Sequence, residues 1–260
     1  MKLLLTTDHH VDATTAGVAR RPELLEHHAR LREICREKKV DAAAFLGDWC
    51  DPGHMLGPLY ARDAVREFRA LAAETRFGKL IAIAGNHDVV EASVGGEPVT
   101  TLSHLEALDC VVLAEEPAFH VFPQCPRVGF LLLPYVARAH QVARPGLVAA
   151  VVDNVLRVES AGGRVPDRIV VLSHLTVPGA RLGSESRELS RGRDVDLPYD
   201  ELERLRSRIY LVANGHYHAR QVVKSEGRPD VLVPGAPLRL TFAEQRDSDD
   251  PSRGCVVVEV

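Results

Sequence analysis

Five short clusters of metal-binding residue types punctuate the sequence: Asp8-His9-His10, Gly47-Asp48-Trp49-Cys50-Asp51, Gly85-Asn86-His87-Asp88, His174, and Gly215-His216-Tyr217-His218. Singly, each is weak. A lone Asp-x-His or His-x-His is more often satisfied polar packing, and Gly-Asn-His-Asp alone could be a turn, because Gly and Asn both tolerate left-handed backbone. Jointly they differ, since burying that many titratable groups without a cation carries a heavy desolvation penalty. Imidazole mixed with hard oxygen ligands suits Mn2+, Fe2+ or Zn2+ rather than Ca2+ or an all-thiolate site. The clusters hold more ligand groups than one ion takes and about what two ions sharing a carboxylate need. Two metals ~3.5–4 Å apart form the phosphoryl-transfer arrangement.

The elements that must position these clusters can be read from periodicity. Each cluster follows an apolar, β-prone run: Lys2–Thr7, Ala42–Leu46, Lys79–Ala84, Arg168–Leu172 and Ile209–Ala213. Helix-period segments separate the runs, Pro22 to Lys39 with Leu24, Leu25, Leu31 and Ile34 on one face, and Leu59 to Thr75 with Val65, Phe68 and Leu71. Val128–Leu133 is a further strand candidate and Gly146 to Ser160 a further helix. Strand–helix–strand units imply parallel neighbours, whose carboxyl ends converge on one crevice. After Ala219 come short β-like pieces, Gln221–Lys224, Val231–Val233, Leu238–Phe242 and Cys255–Val260, read as antiparallel, and Gly179 to Asp196 reads as a long loop.

Composition bounds the alternatives. The chain has 260 residues, 45% hydrophobic and 26% charged, which is ordinary for a globular α/β protein. No apolar run approaches the ~20 residues of a membrane span, and no signal-peptide core precedes Asp8. Five cysteines (Cys35, Cys50, Cys110, Cys125, Cys255) form no CxxC pair. They read as reduced thiols, so a cytoplasmic protein is expected. A net charge of −4 argues against holding nucleic acid by overall field alone.

Asp8-x-His10, Gly47-Asp48-x-x-Asp51, Gly85-Asn86-His87-Asp88, His174 and Gly215-His216-x-His218 together resemble the signatures of the calcineurin-like metallophosphoesterases, from residue 3 to about 245. A narrower resemblance is to the SbcD-type nuclease component of the double-strand-break repair complex. It rests on Pro178-Gly179-Ala180 with Ser184 to Leu189, on Ala219-Arg220-Gln221, and on Pro234 to Glu244, where Ala236 and Thr241 replace the usual serines.

The resemblance implies an α/β fold of mixed β-sheets in a sandwich flanked by helices, with a dinuclear site at strand carboxyl ends. It implies one metal on Asp8, His10, Asp48 and His218, and a second on Asp48, Asn86, His174 and His216. His87 would face the scissile phosphate and protonate the leaving oxygen, with Asp88 fixing its tautomer. Two divalent ions are implied, Mn2+ first, with Fe2+ or Zn2+ open. The implied reaction is phosphodiester hydrolysis in DNA, exo- and endonucleolytic, in repair or recombination, with an SbcC-type ATPase as partner and a homodimer left open. A phosphatase or phosphodiesterase acting on a nucleotide or other small phosphoester is the competing enzyme reading, and a non-catalytic, metal-stabilised scaffold the third. Residues 1–260 are expected to form one catalytic domain without a separate capping domain.

Further residues invite roles. Asp51 sits where some relatives place a substrate-facing side chain, Tyr217 could stack on a base, and Arg187, with Arg191 and Arg193, could touch a phosphate backbone. His9 reads as packing or surface, Cys50 as a plain buried thiol, His54 is left open, and His27, His28, His104, His120 and His140 read as surface.

Overall fold

A computed structural model of the chain describes residues 1–50, 57–90, 99–135, 146–181, 195–224, 226–240 and 253–260. In chain order the strands are β1 (Lys2–Thr6), β2 (Thr14–Thr15), β3 (Val18–Ala19), β4 (Ala42–Phe45), β5 (Leu80–Ile83), β6 (Val111–Ala114), β7 (Ala118–Val121), β8 (Val128–Leu133), β9 (Arg168–Ser173), β10 (Ile209–Asn214), β11 (Gln221–Val223), β12 (Val231–Val233) and β13 (Cys255–Glu259). The helices are α1 (Arg21–Lys38), α2 (Pro58–Ala73), α3 (Leu147–Ser160) and α4 (Tyr199–Glu203), with a 3-10 turn at Ser103–Ala107.

Two sheets stack face to face. The first has the order β13-β1-β4-β5-β6 and the second β11-β12-β10-β9-β8-β7, while β2 and β3 form a separate small ribbon. In the first, β1, β4, β5 and β6 run parallel and β13 is antiparallel to β1. In the second, β8, β9, β10 and β12 run parallel, with β7 and β11 antiparallel at the two edges.

The strands are apolar on both faces because both faces are covered. Leu3 and Leu5 of β1, Ala44 of β4 and Ile83 of β5 point between the sheets, onto Phe130, Leu132, Val170, Leu172 and Ala213. Leu4, Phe45 and Leu80 point the other way, onto Leu24 and Leu31 of α1 and Phe68 and Leu71 of α2. On the far side, Leu131, Leu133, Ile169 and Val171 meet Val152 and Val155 of α3. Each fully buried Leu or Ile in these layers contributes about 1.5–3 kcal/mol. The helices α1 and α2 are joined by ion pairs, Arg21 to Asp63 at 2.6 Å and Arg32 to Glu67 at 2.5 Å.

The mixed α/β sandwich matches the expected fold class. Three local expectations change. Leu238 to Leu240 is not a strand, and the rest of that stretch lies outside the described residues. The end of the chain is not wholly antiparallel, since β12 adds parallel to β10. Strands β6 and β7 are additional; each is a four-residue run at a sheet edge. Of the expected loop from Gly179 to Asp196, residues 182–194 lie outside the described residues. No described helix is long and apolar enough to cross a membrane.

Candidate metal centre

Every cluster sits just past the carboxyl end of a parallel strand: Asp8 to His10 after β1, Asp48 after β4, Asn86 to Asp88 after β5, His174 after β9, and His216 and His218 after β10. The first three come from one sheet and the last two from the other, so the site straddles the seam of the sandwich. Backbone hydrogen bonds extend the β1–β4 pairing into the loops, with Asp8 N–H donating to the Gly47 carbonyl at 2.9 Å. His9 and His10 N–H both donate to the Asp48 carbonyl, at 2.8 and 3.2 Å.

The loops are tightly bent. Asp8, His10, Asp48 and His216 all have positive φ (54°, 45°, 61° and 73°). A non-glycine residue there costs of order 1–3 kcal/mol and persists only where its surroundings over-determine it. Two glycines allow the close approach. A Cβ on Gly85 would lie 2.1 Å from Asp48 Oδ1, and one on Gly215 would lie 2.3 Å from Thr7 Oγ1 and 2.4 Å from the Leu46 carbonyl.

Two groups of buried ligands converge there. Ligand atoms of Asp8, His10 and His218 lie within 4.8 Å of one another, and so do those of Asp48, His174 and His216. Nε2 of His10 is 3.1 Å from Nε2 of His218. Asn86 Oδ1 lies 3.0 Å from His174 Nε2 and 2.9 Å from His216 Nδ1, and Asp48 Oδ2 is 3.2 Å from His174 Nε2. The histidines are aimed from behind. His10 Nδ1 donates to the Cys50 carbonyl at 3.0 Å and His174 Nδ1 to the Leu46 carbonyl at 2.5 Å, which turns both Nε2 atoms toward the site.

Both carboxylate oxygens of Asp8 are buried without a hydrogen-bond partner. Such an orphaned carboxylate beside two imidazoles is a heavy penalty unless a cation satisfies it. The donor set therefore fits two divalent ions of the N/O-loving class.

The electrostatics report the same crowding. Burial pushes Asp8 up to about 6, against the pull of His174. Burial also drives Asp48 up, but His174, His87 and His10 outweigh it and hold its carboxyl well below the usual range. His174 moves the other way: burial lowers it, yet Asp48, a hydrogen bond to that carboxylate and Asp8 raise it to about 9. Burial and His174 lower His216 to about 3, and burial with His218 and His87 takes His10 well below its ordinary value.

His87 is half-buried beside the two groups, its ring perpendicular to that of His10 at 5.1 Å, and its backbone N–H donates to Asp48 Oδ1 at 2.9 Å. Asp88 requires a correction. Its Oδ2 accepts from Asp48 N–H at 2.8 Å and Gly85 N–H at 2.9 Å, and its Oδ1 from Trp49 N–H at 3.0 Å and Thr101 Oγ1 at 3.2 Å. Those four donors fill its lone pairs, so Asp88 ties the second and third loops together and does not fix the tautomer of His87.

Tyr217 is also corrected. It is 1% exposed, with its hydroxyl accepting from Val177 N–H at 2.9 Å and donating to the Val177 carbonyl at 3.3 Å, so it pins two loops and presents no face to a base. His28 is fully buried and not at the surface, and His27, His104 and His120 are half-buried. His9 packs inside, and Cys50 is a buried thiol that burial raises far above its ordinary value. Asp51, His54, His140, Arg187, Arg191 and Arg193 lie outside the described residues. The Leu46 and Cys50 carbonyls and Thr101, which aim the site from behind, carry no sequence signal.

Comparison with known proteins agrees with this geometry. The calcineurin-like phosphoesterase family pattern matches residues 1–220. The chain is 23% identical over 256 residues to the SbcD component of the SbcCD nuclease of Bacillus subtilis, covering 94% of this chain and 63% of that protein. It is 28% identical over 276 residues to the SbcD component of the SbcCD nuclease of Rhodobacter capsulatus, covering 94% and 64%. The chain thus spans under two thirds of the length of these curated relatives. Among solved structures, the phosphopantetheinyl hydrolase PptH of Mycobacterium tuberculosis superposes with a TM-score of 0.52 at 15% identity, covering 99% of this chain and 95% of that one, a likeness of fold. With its family pattern, its sandwich and its paired ligand groups in agreement, the chain belongs to the calcineurin-like phosphoesterases.

Proposed function

We propose that the protein is a metal-dependent DNA nuclease of the SbcD type, hydrolysing phosphodiester bonds in repair or recombination alongside an SbcC-type ATPase. The observation that carries the reading is the pairing of two buried ligand groups, Asp8/His10/His218 and Asp48/His174/His216, with His87 beside them. The narrower assignment draws on the two relatives that are SbcD components of SbcCD nucleases.

In this reading Asp8, His10, Asp48 and His218 hold one ion, and Asp48, Asn86, His174 and His216 the other, with Asp48 shared. Bound divalent ions, Mn2+ first, supply Lewis acidity: they neutralise phosphoester charge and lower the pKa of water. His87, whose backbone N–H is held by Asp48 and whose ring is not counted among the ligands, faces the scissile phosphate and gives a proton to the leaving sugar oxygen. Asp88 keeps the two loops that carry Asp48 and His87 in register.

The test is Mn2+-dependent degradation of end-labelled single- and double-stranded DNA, beside p-nitrophenyl phosphate and bis-p-nitrophenyl phosphate. The expected result is DNA cleavage that disappears in His87→Ala while metal content stays near that of the wild type. Hydrolysis of the small phosphoesters with intact DNA, with and without the ATPase, would move the protein to the small-substrate reading. A metal-loaded but inert chain would mark it as a scaffold.

A further inference from the structure

Behind the Asp8–His10 loop runs a string of hydrogen bonds that involves no ligand side chain. Thr6 Oγ1 donates to the Gly254 carbonyl at 2.7 Å, which commits its single hydrogen. Its contact with His9 Nε2 at 2.8 Å must therefore be a bond donated by His9. With the proton of the neutral ring on Nε2, His9 Nδ1 is an acceptor, and it lies 3.1 Å from His28 Nε2. His28 is thus the donor, and the polarity of the whole string is fixed: His28 to His9, His9 to Thr6, Thr6 to the Gly254 carbonyl. Both rings are fully buried, which favours the neutral form.

His9 is the peg of the loop. It stands between Asp8 and His10, both left-handed at φ 54° and 45°. Its ring is buried against His28 at 4.7 Å, Phe45 at 4.8 Å and Trp49 at 5.7 Å. Neither carboxylate oxygen of Asp8 has a hydrogen-bond partner, so the direction of that carboxylate depends on the backbone that carries it. Packing alone would let the His9 ring tilt. The directed bonds at its two nitrogens remove that freedom and clamp the peptide planes of two strained neighbours.

We infer that His28 is a positioning residue for the Asp8–His10 ligand pair: its N–H, relayed through His9 and Thr6 to the Gly254 carbonyl, holds the loop where Asp8, His10 and His218 converge. The inference rests on the two-metal reading of the site. It adds a contribution from helix α1 and from the residue before β13, neither of which carries a ligand.

The experiment is calorimetric titration of the full chain with Mn2+, with melting temperature and circular dichroism as controls of folding. Wild type should take up two ions in distinguishable classes, and His218→Ala identifies which class belongs to the Asp8/His10/His218 group. His28→Ala should weaken that class about tenfold or more and leave the other unchanged. His28→Gln, whose amide can still donate to His9 Nδ1, should restore most of the affinity. His9→Phe keeps the ring packing and loses the bonds, so it should behave as His28→Ala does, and it decides the matter if His28→Ala fails to fold. Unchanged affinities in a folded variant, or equal weakening of both classes without rescue by Gln, would overturn the inference. A wild-type chain that takes up no Mn2+ would overturn the metal reading and this inference with it.

Discussion

The carboxylate of Asp48 serves the His87 loop as well as the metal groups: its Oδ1 accepts the His87 N–H at 2.9 Å, while its Oδ2 lies 3.2 Å from His174 Nε2. One side chain thereby ties the backbone of the His87 loop to the second ligand group. Anything that rotates this carboxylate moves both.

Gly85→Ala is the smallest change that does so. The added methyl would stand 2.1 Å from Asp48 Oδ1 and 2.5 Å from the Asp48 nitrogen. Overpacking of this kind costs about 1–3 kcal/mol, and Mn2+ affinity should fall about tenfold or more. Melting curves and metal titration check both; a variant with native metal affinity would show that the carboxylate is not held where the structure has it.

Asp88→Asn separates loop-tying from tautomer control. An amide nitrogen at one of the Asp88 oxygen positions would oppose either the Asp48 and Gly85 N–H groups or the Trp49 N–H and Thr101 hydroxyl. Buried unsatisfied donors cost about 1–3 kcal/mol, so the variant should melt several degrees lower and bind Mn2+ more weakly. If instead stability is native and only the pH profile of turnover shifts, Asp88 acts on His87 after all.

Tyr217→Phe should cost about 1–3 kcal/mol by leaving the buried Val177 N–H without its partner, while the Val177 carbonyl keeps the Ala180 N–H at 3.1 Å. Relative activity on purine- and pyrimidine-rich DNA should stay at the wild-type ratio. A change in that ratio at unchanged stability would restore the base-stacking role.

The raised pKa of His174, about 9, gives a pH dependence with a definite sign. Its folded value lies above the ordinary 6.5, so the stability it contributes is complete below pH 6.5 and is lost as pH rises through about 9. The chelator-stripped chain should therefore melt lower at pH 9 than at pH 6.5. An ion that takes Nε2 must displace the same proton, so Mn2+ affinity should rise over that window. Melting of stripped and loaded protein, with calorimetry in buffers of different ionisation enthalpy, reads both slopes. A stripped chain that gains stability toward pH 9 would contradict the assignment.

The ligand-bearing loops were legible in sequence because each apolar run ends abruptly in a polar cluster, and a parallel strand can only deliver such a cluster to one edge of its sheet. His28 was legible too and was misread. It stands with Leu24, Leu31 and Cys35 at helical spacing on the buried stripe of α1, so its periodicity contradicted a surface reading. Asp88 was not legible. Three of its four partners are backbone N–H groups, two of them some 40 residues away, and main-chain donors leave no mark on residue identity. Tyr217 failed for a similar reason, because its hydroxyl partners are the main-chain groups of Val177.

Each ligand group draws on both sheets: Asp8 and His10 against His218, and Asp48 against His174 and His216. Neither half of the sandwich owns a complete ion site. The centre is in effect a gauge of how the halves are seated, and aliphatic contacts such as Leu5 and Ala44 against Leu172 are its calibration. Selection for ion binding then reaches deep into an apolar layer that touches no ion. Volume changes there should surface as weakened uptake of metal well before the chain loses its fold, so tolerance to substitution in this layer will be set by chemistry rather than by stability.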